Sequence, residues 1–218
     1  NIRHLVYNPE IYRKSLILHI GDLCDTSSLV RILQEVRPQE IYNLAAQADV
    51  GESFYQPEYT HDATGAGVVR LLESIRRICP EARVYQASTS ELFGKTDVEP
   101  QNELTPMNPQ SPYAVAKYVG YQTVRNYREG YGLFACNGIC FNHASERRTD
   151  DYLDRKVTKA VSRIFHGLQN ELRLGYLGGY RDWAHAKDIV RGMWMILQQD
   201  KPDDFVLGTS VKIQVQSW

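Results

Sequence analysis

Arg83-Val84-Tyr85-Gln86-Ala87-Ser88-Thr89-Ser90-Glu91 passes from strand-forming residues into three consecutive hydroxyl side chains and then a carboxylate. A polar loop rich in Pro, Asn and Gln follows over residues 95–110. Ser111-Pro112 then opens a long helix that carries Tyr113 and Lys117. Proline suits the first helical turn, where its missing N–H has no partner to lose, and Gly130 and Gly132 bracket the far end. A buried strand, a loop and a helix form half of a parallel crossover unit, and the flanking sequence repeats the pattern in both directions.

Toward the N-terminus, Glu40-Ile41-Tyr42-Asn43-Leu44-Ala45 reads as a second strand, and a helix over residues 63–79 places Val68, Leu71, Leu72, Ile75 and Ile78 on one stripe before Pro80. Further back, Asp25 or Thr26 caps a helix whose Leu29, Ile32, Leu33 and Val36 face one side, stopped by Pro38. Leu16-Ile17-Leu18-His19-Ile20 reads as another buried strand, ending at Gly21-Asp22. Toward the C-terminus come a strand over residues 133–141, a helix near 155–168 and a strand at Phe205-Val206-Leu207. Such alternation predicts an α/β fold: a Rossmann-like parallel sheet with right-handed crossovers and helices on both faces. Ligands of these sheets bind beyond the carboxyl ends of the strands.

Composition narrows the function. The formal net charge of −1 gives no field that would favour nucleic acid. No apolar run nears the ~20 residues that span a bilayer, so neither nucleic acid nor membrane is expected as a partner. Cys24, Cys79, Cys136 and Cys140 form no Cys-x-x-Cys pair and no zinc set. We expect reduced, structural thiols, no metal and a cytoplasmic location.

Tyr113 and Lys117 are four apart and project from one helix face. An ammonium at that distance favours the phenolate and makes the tyrosine a usable base. Thr89 and Glu91 are two apart and would share a strand face if the strand persists that far. Tyr152 and Lys156 match the same spacing, but lack the preceding strand end of hydroxyl residues. The structural alternative for Tyr113 is an amphipathic residue packed at a helix start beside a solvated lysine.

Gln86-Ala87-Ser88-Thr89-Ser90-Glu91-Leu92-Phe93-Gly94 and Ser111-Pro112-Tyr113-Ala114-Val115-Ala116-Lys117 resemble the catalytic segments of the GDP-mannose 4,6-dehydratases, extended short-chain dehydrogenases/reductases. Gly21-Asp22-Leu23, Tyr42-Asn43-Leu44-Ala45-Ala46-Gln47, Phe141-Asn142-His143 and Arg181-Asp182-Trp183 extend the resemblance in family order. It implies a hydro-lyase that uses NADP. Tyr113 would remove the proton of the sugar 4-hydroxyl as hydride leaves C4 for NADP. Glu91 would take the C5 proton acidified by the new ketone and help expel the C6 hydroxyl as water. Thr89 would hydrogen-bond the O4 region, and Lys117 would serve both Tyr113 and the cofactor ribose. The resemblance further implies cofactor contacts from Asp22, Leu23, Leu44, Ala45, Ala46, Gln47, Ala48, Tyr59, His143 and Arg148. For the GDP portion of the substrate it implies Asn142, Lys156 and Arg181, and for the intact protein a homo-oligomer, dimer or tetramer.

Three features depart from that pattern. Ala48-Asp49 stands where the family has Ser-His, placing a carboxylate near the cofactor. Asn142-His143-Ala144-Ser145-Glu146-Arg147-Arg148-Thr149 differs from the family run, and Asp150, Asp151 and Asp154 add negative charge that would oppose a diphosphate. No Gly-x-Gly-x-x-Gly turn is present. We therefore expect an internal part of a longer protein that lacks the first βαβ unit and binds NADP poorly by itself. Residues 1–145 are expected to form the incomplete NADP-binding domain. Residues 146–218 are expected to form a partial substrate-binding region interleaved with the last sheet strands. The alternatives are another nucleotide-sugar 4,6-dehydratase, a 4-reductase or epimerase, and a non-catalytic dinucleotide-binding module.

Overall fold

The computed structural model describes residues 2–150 and 152–217. Two compact units divide the chain: Asn1–Ile139 with Met193–Val206, and Cys140–Gly192 with Leu207–Trp218. The elements in order are α1 (Arg3–Val6), α2 (Thr26–Val36), β1 (Glu40–Asn43), α3 (Pro57–Thr60), α4 (Gly67–Ile78), β2 (Arg83–Thr89), α5 (Pro112–Tyr131), β3 (Ala135–Cys140), β4 (Asn142–Ala144), α6 (Leu153–Phe165), β5 (Tyr180–His185), α7 (Ala186–Leu197), β6 (Asp204–Leu207) and β7 (Lys212–Gln214).

In the first unit the sheet order is β1-β2-β3-β6. β1 and β2 run parallel with Glu40 beside Arg83 and Asn43 beside Gln86. This is the α/β arrangement expected from the alternation of strands and helices. Leu29, Leu33, Val68, Leu72, Ile75, Val84, Val124 and Ala135 fuse into one core. Burying each large aliphatic side chain contributes about 1.5–3 kcal/mol. Helix α2 begins at Asp25, whose carboxylate accepts the Ser27 amide at 2.9 Å, and ends at Arg37, left-handed at φ 46°.

Two expectations need correction here. Leu16–Ile20 is not a strand: Leu16 makes an isolated bridge to Tyr12, and Ile17, Leu18 and Ile20 are exposed. Apolar residues alone do not make a strand without a partner for the backbone ladder. The helix expected from residue 63 begins at Pro57 and includes a π-helical segment, His61–Ala66, between α3 and α4. There Gly65 lies against the Ala116 carbonyl of α5, and a Cβ on Gly67 would come within 2.8 Å of Leu23.

In the second unit β4 pairs parallel with β5, and β5 pairs antiparallel with β7, with Arg181 opposite Ile213. The expected helix over 155–168 is α6, which starts two residues earlier and ends three residues earlier. All four cysteines are free thiols, with Cys136 and Cys140 buried on β3. Burial pushes the Cys136 thiol up to about 11, so it stays protonated and inert at neutral pH.

Candidate active site

The end of β2 and the start of α5 carry the residues expected to do chemistry. Strand β2 stops at Thr89, and the chain turns at once into a 3-10 helix, Ser90–Leu92. Thr89 and Glu91 therefore do not alternate on one strand, because Thr89 Oγ1 accepts the Glu91 amide at 3.3 Å and caps the turn. Glu91 itself is exposed, while Leu92 and Phe93 anchor the turn in the core. Gly94 closes it at φ +53°, where any Cβ would sit 1.8 Å from the Asn108 carbonyl oxygen. The Asn108 amide in turn donates to Leu92 O at 2.9 Å, tying the polar loop back to the turn.

Ser111 caps α5 by accepting the Ala114 amide at 3.0 Å. Tyr113 and Lys117 share a face of α5, with Lys117 Nζ 5.8 Å from the centre of the Tyr113 ring. Lys117 is buried, and its ammonium donates to Ala87 O on β2 at 2.8 Å. Helix α5 packs on both β2 and the 3-10 turn. A half-buried phenol, a buried ammonium, a hydroxyl and an exposed carboxylate are thus held on adjoining elements, an arrangement able to move protons at two positions.

The other nominated residues of this unit precede α2 or follow β1. Asp22 is exposed; its carboxylate accepts the Cys24 amide at 2.8 Å. Leu23 lies under Gly67. Leu44, Ala45, Ala46, Gln47 and Ala48 form the loop at the carboxyl end of β1, with Leu44 and Ala48 exposed. Gln47 is held by its amide on Thr64 Oγ1 at 3.0 Å, yet its side-chain oxygen is buried without a hydrogen-bond partner. Asp49 acts locally, since its carboxylate accepts the Glu52 amide at 3.0 Å and so holds the short helical turn Glu52–Phe54. Tyr59 is exposed on α3.

His143, Arg148, Asn142, Lys156 and Arg181 belong to the second unit. His143 Nδ1 bonds Phe141 O at 2.8 Å. Asn142, Arg148 and Arg181 line one cavity of about 250 Å³ with Asp154, Tyr176 and Trp183. Lys156 is exposed and is not among the residues lining it. Sequence reading did not nominate Tyr176 or Trp183, and their ring chemistry beside two arginines is the signal that only the folded cavity supplies. The carboxylates expected to oppose a diphosphate are paired: Asp154 lies 3.2 Å from Arg148 Nε, and Asp150 meets Arg155 at 3.3 Å and also Lys159. Those cations hold the Asp150 carboxyl below its usual range. Asp151 lies outside the described residues. Among the described residues no cluster of three or more His, Cys, Asp or Glu side chains could hold a metal, and no helix is long and apolar enough to cross a membrane.

The family model described as GDP-mannose 4,6 dehydratase matches residues 1–218. The chain belongs to the GDP-mannose 4,6-dehydratase family. It is 51% identical over 219 residues to the GDP-mannose 4,6-dehydratase of Vibrio cholerae, covering 100% of this chain and 59% of that protein. It is 49% identical over 221 residues to GDP-mannose 4,6 dehydratase 2 of Caenorhabditis elegans, covering 100% of this chain and 58% of that protein. The chain thus spans about three-fifths of the length of these curated family members. Among solved structures, RMD from Pseudomonas aeruginosa complexed with NADPH shares the fold at a TM-score of 0.86 and 21% identity, over 92% of this chain and 70% of that one. DesIV, a dTDP-glucose 4,6-dehydratase from Streptomyces venezuelae with NAD and TYD bound, superposes at a TM-score of 0.80 and 26% identity, over 90% of this chain and 59% of that one. GDP-mannose 4,6-dehydratase membership therefore covers both units and every residue nominated above.

Proposed function

We propose that the full-length protein carrying this chain is a cytoplasmic, homo-oligomeric hydro-lyase that converts GDP-mannose to GDP-4-keto-6-deoxymannose with NADP. The observation that supports it best is the joint presence of Thr89 and Glu91 on the turn after β2 and of Tyr113 and Lys117 on the face of α5 packed there, in a family member matched from end to end. In this reading residues 1–145 carry the catalytic residues and most of the dinucleotide contacts, and residues 146–218 form part of the substrate-binding region.

The residues fit a dinucleotide. The buried Gln47 oxygen lacks a donor, in the loop at the carboxyl end of β1, where ligands of such sheets bind. Asp22, Leu23, Leu44 to Ala48, Tyr59, Lys117, His143 and Arg148 would hold it. The nicotinamide, when bound, supplies a reversible two-electron acceptor, so the reaction is redox-neutral overall. Tyr113 takes the proton of the sugar O4, favoured as an anion by the Lys117 ammonium on the same face. Thr89 donates to O4 as charge builds there. Glu91 takes the C5 proton and gives it to the departing C6 hydroxyl, which leaves as water; the hydride held by the dinucleotide would then return to C6 and the proton held by Tyr113 to C5, which closes the balance. A phenol and a carboxylate are both needed, because the two protons sit on different atoms of the sugar. Asn142, Lys156 and Arg181 bind the GDP portion, with arginine providing forked donors for phosphate.

The test is incubation of the full-length protein with GDP-mannose and either NADP or NAD, with products resolved by mass and NMR. A 6-deoxy-4-keto sugar nucleotide formed with NADP is expected. A C4-epimer, a 4-reduced sugar or unchanged substrate would overturn the reading.

A further inference from the structure

Asp204 is a buried carboxylate that the chemistry above does not use. It lies on β6 with its side chain 8% exposed. Its Oδ1 accepts from Arg128 Nη1 at 3.0 Å and from Asn137 Nδ2 at 2.8 Å; its Oδ2 accepts from Arg128 Nη2 at 3.1 Å and from the Tyr121 hydroxyl at 2.9 Å. Tyr121 and Arg128 both stand on α5, and Tyr121 is one helical turn beyond Lys117. Asn137 is completely buried on β3, and its Oδ1 accepts the Ser88 hydroxyl at 3.2 Å. Ser88 directly precedes Thr89, and directly follows the Ala87 whose carbonyl takes the Lys117 ammonium.

These bonds form a closed circuit. It leaves α5 through Tyr121 and Arg128, passes Asp204, Asn137 and Ser88 to the end of β2, and returns to α5 through Ala87 and Lys117. A buried ion pair adds little net stability compared with apolar packing, but it is strict about geometry. A buried polar network with its members satisfied rigidifies what it joins. We propose that Asp204, acting through Asn137 and Ser88, is a positioning residue that fixes the end of β2 against α5 and thereby sets the placing of the Lys117 ammonium beside the Tyr113 phenol. The proposal rests on the catalytic reading of Tyr113 and Lys117 given above.

Asp204→Asn leaves Arg128 buried beside a neutral partner and is expected to lower the melting temperature, so the deciding variant is Ser88→Ala. That change removes one link and leaves Asp204 bonded to Arg128 and Tyr121. In the full-length protein, Ser88→Ala is expected to lower kcat about tenfold with KM for GDP-mannose within about twofold. Its melting temperature should fall by several degrees, because the buried Asn137 Oδ1 loses its donor, so the rates are compared well below both transitions. Ser88→Thr, which keeps the hydroxyl, should restore most of the rate. The Tyr113 phenol titration, read as the ultraviolet difference against Tyr113→Phe in each background, reports the same placement without turnover. The charged groups on the two elements concerned are Lys117 on that face of α5 and Glu91 on the turn packed against it. In Ser88→Ala the Tyr113 midpoint should rise by about half a unit or more as the ammonium is less well held. An unmoved midpoint, or Ser88→Thr behaving like Ser88→Ala, would overturn the positioning role. If the wild-type protein leaves GDP-mannose unchanged, the functional reading fails and the phenol titration still decides this inference.

Discussion

The Lys117 ammonium donates a 2.8 Å hydrogen bond to the Ala87 carbonyl, so the lysine is fixed by the strand as firmly as by its own helix. One of its three donors is committed to backbone, and the side chain is buried. Its distance from the Tyr113 ring is therefore set by the packing of α5 on β2 rather than by rotamer choice alone.

Lys117→Met should lower kcat by about 100-fold or more, the scale of a lost contribution to proton transfer. Lys117→Arg should not rescue it, because a planar guanidinium cannot replace a compact ammonium in that buried space. Steady-state rates of the two variants in the full-length protein check this; recovery of the wild-type rate with arginine would contradict it.

Glu91→Gln should abolish formation of the 6-deoxy product while leaving dinucleotide affinity unchanged. Glu91 is exposed on its turn, so its stability cost should stay within about 0.5 kcal/mol. Product analysis, cofactor fluorescence and thermal melting read these outcomes separately. Normal turnover would remove Glu91 from the mechanism.

The two arginines of the second-unit cavity should separate by variant. Arg148→Ala strands the Asp154 carboxylate, only 9% exposed, and should destabilise by about 3–5 kcal/mol. Arg181→Ala removes an exposed guanidinium, and should raise KM for the nucleotide-sugar tenfold or more, on the order of a lost charged hydrogen bond, with little change in melting. Equal melting temperatures for the two variants would contradict this division.

Acid should weaken the fold through Glu73. Hydrogen bonds from Arg76 and then Arg77 hold its carboxyl at about 2, well below the ordinary glutamate value. A depressed folded value means the stabilisation is complete above the unfolded pKa of about 4.3 and is lost as pH falls through the window toward 2. Glu73→Gln should therefore melt below wild type at neutral pH, and the two should converge as the window is crossed. A gap of constant size across that range would assign the effect to packing against Tyr127, whose hydroxyl donates to Glu73 at 3.2 Å.

Much of the first unit was legible because its residues satisfy several signals at once. Ser111, Pro112 and Gly132 mark both ends of α5 by capping chemistry, and Leu29 and Leu33 mark α2 by period. Leu16–Ile20 misled because strand character depends on a neighbouring ladder, which no local pattern reports. The turn at Ser90–Leu92 was hidden because its cap is Thr89, a residue equally at home in a strand. In the second unit, β4 and β7 are three residues each, too short for alternation to register, and β5 mixes charged and aromatic residues with little burial. The unit boundaries fall inside β3, α7 and β6, so no linker composition announces them. Tyr113 with Lys117 was readable from helix spacing; Asn137 and Asp204, 67 positions apart, meet only when β3 and β6 align.

The wide turn at His61–Ala66 has a consequence for how this helix can change. A π turn encloses one more residue than the α turn it replaces, so the chain ahead of it is rotated by about 100° from where a straight helix would point it. Deleting a single residue there would swing Tyr59 around the axis while Gly67 stayed pressed on Leu23. The segment holds a spare residue, and its loss or gain re-aims the beginning of the helix without disturbing the packed end.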